Sequence, residues 1–360
     1  MESFLPHVII TLFAICIMSI SIDYIPAPHL QKVKQEWNFL ENGLDMTLFQ
    51  SFDWNNMLLE HYVPKDTNSF ESLYALVKID GKECLIAPLW IVKKTFRLLN
   101  KKGIYLLGRD SYSDYLNLIY NNFNSEALDF LLKDLHDRYH QTHFIFEHLN
   151  EKTSIYQHIV NSYTILDDKK EPCVDLQIPP SLEEYHKLLS KHSRQNLRTA
   201  NNRLNKDGLS IIFNMDNSEI DKGTCLDIRE SKLSVQYEKI SKIRKYKYRM
   251  VNRLLYHFPR FTPITTYKNS KAMTATIDNK LCAFFHYAYD EPHKRIVIIS
   301  AGTDLTYARY SPGMLLMYNF IKQIINEQKY QEIDFTRGDE SYKFALGGKL
   351  NYNHMIKFHL

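Results

Sequence analysis

One segment of the C-terminal half has residue types suited to holding an anion. It consists of Arg309, Tyr310, Ser311, Pro312, Gly313 and Met314. Ser and Pro are favoured where a helix begins, and Gly leaves the first turn uncovered. Free N–H groups and the helix dipole then attract an anion, especially a diphosphate, and Arg309 adds positive charge. The segment predicts a phosphate-binding helix start, although a helix that binds no ligand could begin with the same residues.

A second segment spans the end of a predicted strand and is dense in ionisable side chains. It contains Asp334, Arg337, Asp339, Glu340, Tyr342 and Lys343. Functional groups gather at the carboxyl ends of strands in α/β proteins. A carboxylate there could take a proton from an attacking amine, and a tyrosine could give one to a leaving thiolate. The alternative is a solvated turn whose charges pair locally and contribute little stability.

A third group is a set of cations on one predicted helix. The set is Lys187, Lys191, Arg194 and Arg198. Spacings of three and four residues place side chains on one helix face. Like charges on one face repel each other unless an anionic ligand or carboxylates relieve them. We predict that Arg194 and Arg198 contact an acidic or phosphorylated substrate. The alternatives are pairing with acidic residues of the other domain and an exposed, solubilising face.

Hydrophobic periodicity predicts the helices and strands that carry these groups. In the first half it predicts a strand at 19–25, a helix at 29–41, a helix at 52–62, a hairpin at 73–92, a helix at 125–139 and a strand at 143–148. In the second half it predicts a strand at 173–178, one long helix from 181 to 208, strands at 272–277, 281–289 and 295–301, a helix at 312–327 and a strand at 332–336. A polar helix is also expected at 227–256.

The two halves repeat an order of elements. Each has a hairpin built on a similar tetrapeptide, Ile79–Lys82 in the first half and Ile277–Lys280 in the second. Each then runs through strands to an amphipathic helix and a short strand. We predict an α/β fold of two mixed-sheet units flanked by helices, with a cleft between them. The predicted domains are residues 19–170 and 171–360, with residues 1–18 as an apolar extension or membrane anchor.

The composition of the chain argues against some functional classes, such as nucleic-acid-binding and metal-dependent proteins. The chain has 360 residues, which suits two domains, and a net charge of only +4, so no nucleic acid partner is expected. Its five cysteines form no close pair, and its histidines lack metal-ligand spacing, so no metal is predicted. The features favour a cytoplasmic protein, with membrane association through the apolar run Val8–Ile22 as the alternative.

Three motifs, in order, resemble those of a known family. Residues 193–198 with Arg203, Leu204 and Gly208 resemble the R-x-N-L-R helix of the CelD-like branch of the GNAT acetyltransferase superfamily, also described as cellulose-biosynthesis or BioF-like. Residues 310–313 resemble its Y-S-P-G helix start. Residues 334–343 resemble its D-F-x-R-G-D-E-x-Y-K signature.

The resemblance implies a tandem GNAT-like fold with acetyl-CoA or another acyl-CoA bound to the second unit at residues 309–314. It implies an N-acyltransferase. Within that reaction we assign Asp339 or Glu340 as the base and Tyr342 as the group that protonates the thiolate, and we place Arg194, Arg198, Asp334, Arg337 and Lys343 at the substrate. The acceptor would be an amine-bearing small molecule or glycan precursor, such as an amino sugar or a cell-envelope or exopolysaccharide precursor. The alternatives are a Fem-like transferase that uses aminoacyl-tRNA and a non-catalytic partner of a polysaccharide synthase.

Overall fold

A computed structural model describes residues 18–61, 69–94, 102–108, 113–140, 143–216 and 267–360, with a few positions between 220 and 228. Its strands form one mixed sheet with helices against it, which confirms the α/β class. The predictions for residues 1–17, for the end of the second helix at residue 62 and for nearly all of 227–256 lie outside the described residues. Within the described part of the chain, no helix is long and apolar enough to cross a membrane.

Twelve strands make up the described sheet. They are β1 (Ile20–Pro26), β2 (Phe70–Ile79), β3 (Lys82–Val92), β4 (Gly103–Leu106), β5 (Phe144–Asn150), β6 (Thr164–Gln177), β7 (Ile211–Asn214), β8 (Ser270–Ile277), β9 (Lys280–Asp290), β10 (Arg295–Thr303), β11 (Glu332–Arg337) and β12 (Lys349–His359). The predicted strands and hairpins of both halves are confirmed. The tight turns at Asp80-Gly81 and Asp278-Asn279 have positive φ at both central residues, as type I′ hairpins require.

The described α-helices are α1 (Lys34–Leu40), α2 (Phe52–His61), α3 (Ser125–Tyr139), α4 (Ser154–Ser162), α5 (Leu182–Leu188), α6 (Lys191–Lys206), α7 (Pro312–Glu327) and α8 (Ser341–Ala345). The predicted helices at 125–139 and 312–327 are confirmed to the residue. At 29–41 the chain forms a 3-10 helix (Ala27–Val33) and then α1.

The long helix predicted from 181 to 208 is wrong, because the chain breaks it into α5 and α6. The hydroxyl of Ser190 accepts from the N–H of Ser193 and starts a new helix there. Lys187 therefore lies on α5 and pairs with Glu183 and Glu184, while the other three cations lie on α6. The continuous cationic face does not form.

Strand order explains how the two halves join. In the first half β1 to β4 pair in sequence, and β4 lies parallel to β5; in the second half β7 to β10 pair in sequence, and β10 lies parallel to β11. A sixth, antiparallel strand completes each set. That strand is β12 beside β5 and β6 beside β11, and β6 and β12 also pair with each other. The sixth strand of each half therefore comes from the other half: β12 follows β11 in the chain but pairs with β5, and β6 follows β5 but pairs with β11. The sheet is continuous as a result.

The polar stretch at 167–172, where the sequence divides the chain, is the middle of β6. The division into domains at residues 170 and 171 stays a prediction. Two large apolar clusters lie on the sheet. One contains Trp37 and Phe144, and the other contains Phe285 and Phe320. The end of β12 contributes Phe358 to the first cluster, so the C-terminal strand also fills the core of the N-terminal half.

We expect Phe358→Ala to destabilise the whole chain. The ring is fully buried and stacks on Phe144 with centroids 5.3 Å apart, so its removal leaves a cavity and should lower the free energy of unfolding by about 3–5 kcal/mol. Urea unfolding measures this loss. Leu350→Ala is the matched control on the same strand, because Leu350 is 45% exposed and should change stability by about 0.5 kcal/mol or less. Equal losses in the two variants would contradict the role given to β12.

Candidate functional site

The site lies where two parallel strands separate. β10 pairs with β11 only through Arg295–Val297 against Glu332–Asp334. Beyond that point β10 has a bulge between Ile298 and Ser300 and continues beside β9 alone. In β11, Thr336 is left-handed with φ 56°, a conformation that β-branched residues rarely adopt. Bulges bend and twist strands, so the two strands open into a V.

A cavity of about 350 Å³ occupies this opening, and we call it the splay cavity. Its lining comprises residues 298–303 of β10, residues 335–337 of β11, the start of α7 at Ser311, Gly313 and Met314, the following residues Glu340, Tyr342 and Lys343, and the apolar side chains Phe284, Phe285, Leu316 and Met317, with Ala308. The two segments that the sequence singles out therefore face one groove.

The start of α7 leaves backbone donors free. Asn124, Thr153 and Ser190 cap α3, α4 and α6 with side-chain oxygens, whereas Ser311 gives α7 no such bond. Within the described residues, no acceptor is found for the N–H groups of Gly313 and Met314. Uncapped N–H groups at the positive end of a 16-residue helix can hold an anion.

Gly313 is required by close packing against β10. A Cβ atom built on this residue would lie 2.3 Å from Oγ1 of Thr303. Any side chain would push the helix away from the strand or displace the threonine. The glycine therefore keeps the first turn of α7 in contact with the open edge of β10.

Arg309 and Tyr310 point toward the end of α6. The Tyr310 hydroxyl donates to Asp207 at 2.8 Å, and the Arg309 guanidinium lies 3.3 Å from the same carboxylate. The Arg309 carbonyl accepts from Arg203 at 2.9 Å. These contacts hold the segment before α7 against α6, and neither side chain lines the splay cavity.

Lys343 organises residues 338–346, which include the short helix α8 and which we call the loop after β11. Its side chain is only 2% exposed. Its ammonium donates to the carbonyls of Arg337 at 2.7 Å and Gly338 at 3.0 Å, and it lies 3.0 Å from the carboxylate of Glu340. A buried charge needs such partners, so Lys343 fixes the loop that presents Glu340 and Tyr342 to the cavity.

Tyr342 and Glu340 are the two lining groups that could move protons. Burial and the charge of Glu340 raise the pKa of Tyr342 well above its usual value, so its hydroxyl stays protonated and can donate. The Glu340 side chain forms an ion pair with Lys343. It is also half exposed, so solvent can reach its carboxylate. Asp339 is exposed and does not line the splay cavity.

Asp334 faces the first half of the chain. It is almost fully buried, and it accepts from the Tyr115 hydroxyl at 2.9 Å and from the N–H of Thr336 at 2.7 Å. Burial raises the pKa of this carboxyl to about 7, against the opposing charge of Arg295. It lines a separate cavity between the halves. Its contact with the splay cavity is indirect, through the backbone of Thr336.

The cations of α6 also lie apart from the splay cavity. Arg194 donates to the carbonyls of His186 and Leu189 and so caps the end of α5. Arg198 is exposed. Of the residues that the sequence assigns to substrate binding, Arg337 and Lys343 line the splay cavity.

Two residues of the site have no signal in the sequence, and they are Thr303 and Asp114. Thr303, whose Oγ1 lies against Gly313, falls just beyond the strand predicted at 295–301 and belongs to no motif. The contact from Arg337 Nε to Asp114 Oδ1, at 2.6 Å, joins residues 223 positions apart. Only the folded sheet brings these two residues together.

Comparison with known proteins agrees with this geometry. Residues 269–344 match the family described as "Acetyltransferase (GNAT) domain". No curated protein matches the sequence. Three solved structures share the fold. They are FemX (TM-score 0.60, 11% identity, 91% of this chain and 96% of that one), a tandem GNAT protein from the clavulanic acid biosynthesis pathway (0.52, 10%, 94% and 98%) and a conserved protein from Bacteroides thetaiotaomicron (0.51, 10%, 95% and 100%).

The chain therefore contains a GNAT acetyltransferase domain within a tandem GNAT-like fold. It is an acyltransferase, and the prediction of an enzyme is confirmed. A GNAT domain implies acyl-CoA as co-substrate. The uncapped start of α7 and the splay cavity fit such a ligand, because they offer donors for a diphosphate beside an opening between strands.

We expect Asp334→Asn to change how stability depends on pH. The folded chain keeps the Asp334 proton up to about pH 7, whereas an unfolded Asp loses it near pH 4. The free energy of unfolding of the wild type should therefore fall relative to the variant as the pH rises from about 4 to about 7, by at most about 4 kcal/mol.

Urea unfolding at several pH values measures this difference. Asn can still accept from Tyr115 and Thr336, so the variant should keep the fold. Asp339→Asn is the control, because Asp339 is exposed. Parallel curves for the wild type and Asp334→Asn would show that this carboxyl does not titrate abnormally.

Proposed function

We propose that this chain is an acyl-CoA-dependent N-acyltransferase of the CelD-like branch of the GNAT superfamily. One observation carries the proposal: the splay cavity joins the uncapped start of α7 to the loop that bears Glu340 and Tyr342. An anion site and a proton-transfer pair on one groove suit a ligand with a diphosphate at one end and a reactive thioester at the other.

The chain offers a contact for each part of acyl-CoA. The N–H groups of Gly313 and Met314 would bind the diphosphate. Beyond Val297, β10 forms no backbone pair with β11 among the described residues, and only the Ile298 carbonyl accepts from the Thr336 hydroxyl, at 3.0 Å. This edge of β10 would bind the amide groups of the arm by strand-like hydrogen bonds. The end of β11 would then lie beside the thioester.

The reaction moves the acyl group directly to nitrogen. The amine nitrogen attacks the thioester carbonyl, the new C–N bond forms and the C–S bond breaks. Glu340 takes the proton that the nitrogen loses, and the Tyr342 hydroxyl gives a proton to the sulfur, after which solvent restores both groups. We assign the base to Glu340 rather than Asp339, because Glu340 lines the splay cavity.

The acceptor is proposed to be the amine of a small molecule or glycan precursor, such as an amino sugar or a cell-envelope or exopolysaccharide precursor. The support is the resemblance of the three motifs to the CelD-like branch. A Fem-like use of aminoacyl-tRNA is the second candidate, favoured by the fold shared with FemX. The net charge of +4 favours the first.

Thermal-shift titration separates these functions, because a ligand that binds only the native state raises the melting temperature. We expect acetyl-CoA or a longer acyl-CoA to raise it, with a stabilisation of about 2.7 kcal/mol when the ligand is present at about 100 times its Kd. A rise with aminoacyl-tRNA and none with any acyl-CoA would overturn the proposal in favour of the Fem-like function.

Met314→Glu tests where the diphosphate binds. A glutamate in the first turn suits a helix N-terminus, so the fold should persist, but its charge should repel the diphosphate and weaken acetyl-CoA binding at least about tenfold. Calorimetric titration gives the Kd. Ser125→Glu adds the same charge to the first turn of α3 and should leave the Kd unchanged. Equal affinity in all three proteins would remove α7 from the binding site.

A further inference from the structure

The Arg337 side chain leaves the second half of the chain and enters a polar cluster of the first half and β6. Its Nε donates to Asp114 at 2.6 Å. Its Nη1 lies 3.3 Å from Nε2 of His148, whose Nδ1 lies 2.6 Å from the carboxylate of Glu171. Arg337 can donate to Nε2 if Nδ1 carries the imidazole proton and donates it to Glu171. The guanidinium is thus held from more than one side.

Two strand irregularities bring these groups together. Thr336, next to Arg337, is left-handed, and the pairing of β11 with β6 shifts register there. His148 in β5 is also left-handed, with φ 54°, and the pairing of β5 with β12 shifts register opposite it. Bulges re-aim side chains, and unusual backbone conformations persist where the surrounding structure maintains them. One left-handed residue in each half, Thr336 in the second and His148 in the first, thus helps to position the contact between Arg337 and His148.

Asp114 is held firmly where β12 joins the sheet of the first half. The amide of Asn353, a fully buried residue of β12, donates to the Asp114 carbonyl at 2.7 Å. The Asp114 side chain is only 14% exposed. Ion pairs that are partly buried and fixed by hydrogen bonds are screened less by solvent than exposed pairs. Asp114 can therefore act as a fixed anchor.

Arg337 is the last residue of β11, and its backbone leads directly into the loop after that strand. Its carbonyl accepts from Lys343, which also contacts Gly338 and Glu340. The N–H of Gly338 donates to the carbonyl of Pro172 in β6 at 2.7 Å. A shift of the Arg337 side chain would therefore disturb the loop that carries Glu340 and Tyr342.

We infer that Arg337 is a positioning residue rather than a substrate ligand, and that Asp114 of the first half is its anchor. The Asp114–Arg337 ion pair holds the loop after β11 in its working conformation, so the first half is a required part of the active site. The inference rests on the proposed function for its effect on turnover, but the order of the loop can be measured without any ligand.

The test compares Asp114→Asn with Asp53→Asn in the full chain. Asp53 of α2 lies 3.0 Å from Lys268, so this control also removes an ion pair between the halves, at a site away from the splay cavity. Hydrogen exchange of residues 336–346 is measured without ligand. Release of CoA from acetyl-CoA, with water as the acceptor, gives turnover, and calorimetry gives the Kd for CoA.

We expect Asp114→Asn to speed exchange in residues 336–346 about tenfold or more and to lower kcat by a similar factor, with the Kd for CoA changed less than about twofold. Asp53→Asn should change none of these. Arg337→Gln should match Asp114→Asn, and the double variant should be no worse than either single variant, because both remove one interaction.

Unchanged exchange and unchanged kcat in Asp114→Asn would overturn the inference, as would a loss confined to CoA binding. Arg337→Gln repeats the test from the other partner should Asp114→Asn fold poorly. A wild type that binds no CoA would refute the proposed function alone, because the exchange measurement still decides whether the ion pair orders the loop.

Discussion

The exchange of β6 and β12 between the halves sets the relative positions of the residues at the site. Each of these strands follows the fifth strand of one half and completes the sheet of the other, and the two pair with each other from Lys349 with Asp175 to His359 with Thr164. The halves cannot separate without breaking this ladder. It fixes β11 relative to β5, and therefore fixes Arg337 relative to Asp114 and His148.

The site is built from an interruption of the same sheet. β10 and β11 pair for three residues and then diverge, since each has an irregular residue at the point of separation. The opening exposes one edge of β10, the start of α7 closes one end, and the loop held by Lys343 closes the other. Gly313 allows the first turn of α7 to lie against Thr303 of β10.

Local signals in the sequence were sufficient for the elements around the site. Pro312 and the spacing of four between Leu316, Phe320 and Ile324 predict α7 to the residue, because the start signal and the buried face agree. The sequence does not reveal the break at Ser190, because this cap lies inside a hydrophobic pattern typical of one helix. It does not reveal β12 either, because Asn353 is buried with its amide hydrogen-bonded, and a polar residue at a buried position interrupts the apolar alternation expected of a strand. The Arg337–Asp114 contact depends on strand exchange, which no local pattern reports.

A crystal structure of the chain with CoA bound would show whether the splay cavity is the acyl-CoA site. We expect density for CoA in the splay cavity, with its diphosphate on the backbone amides of Gly313 and Met314, its arm along the edge of β10 and its sulfur toward Tyr342. Density for CoA at another surface, with the start of α7 and the loop after β11 free of the ligand, would exclude the splay cavity as this site.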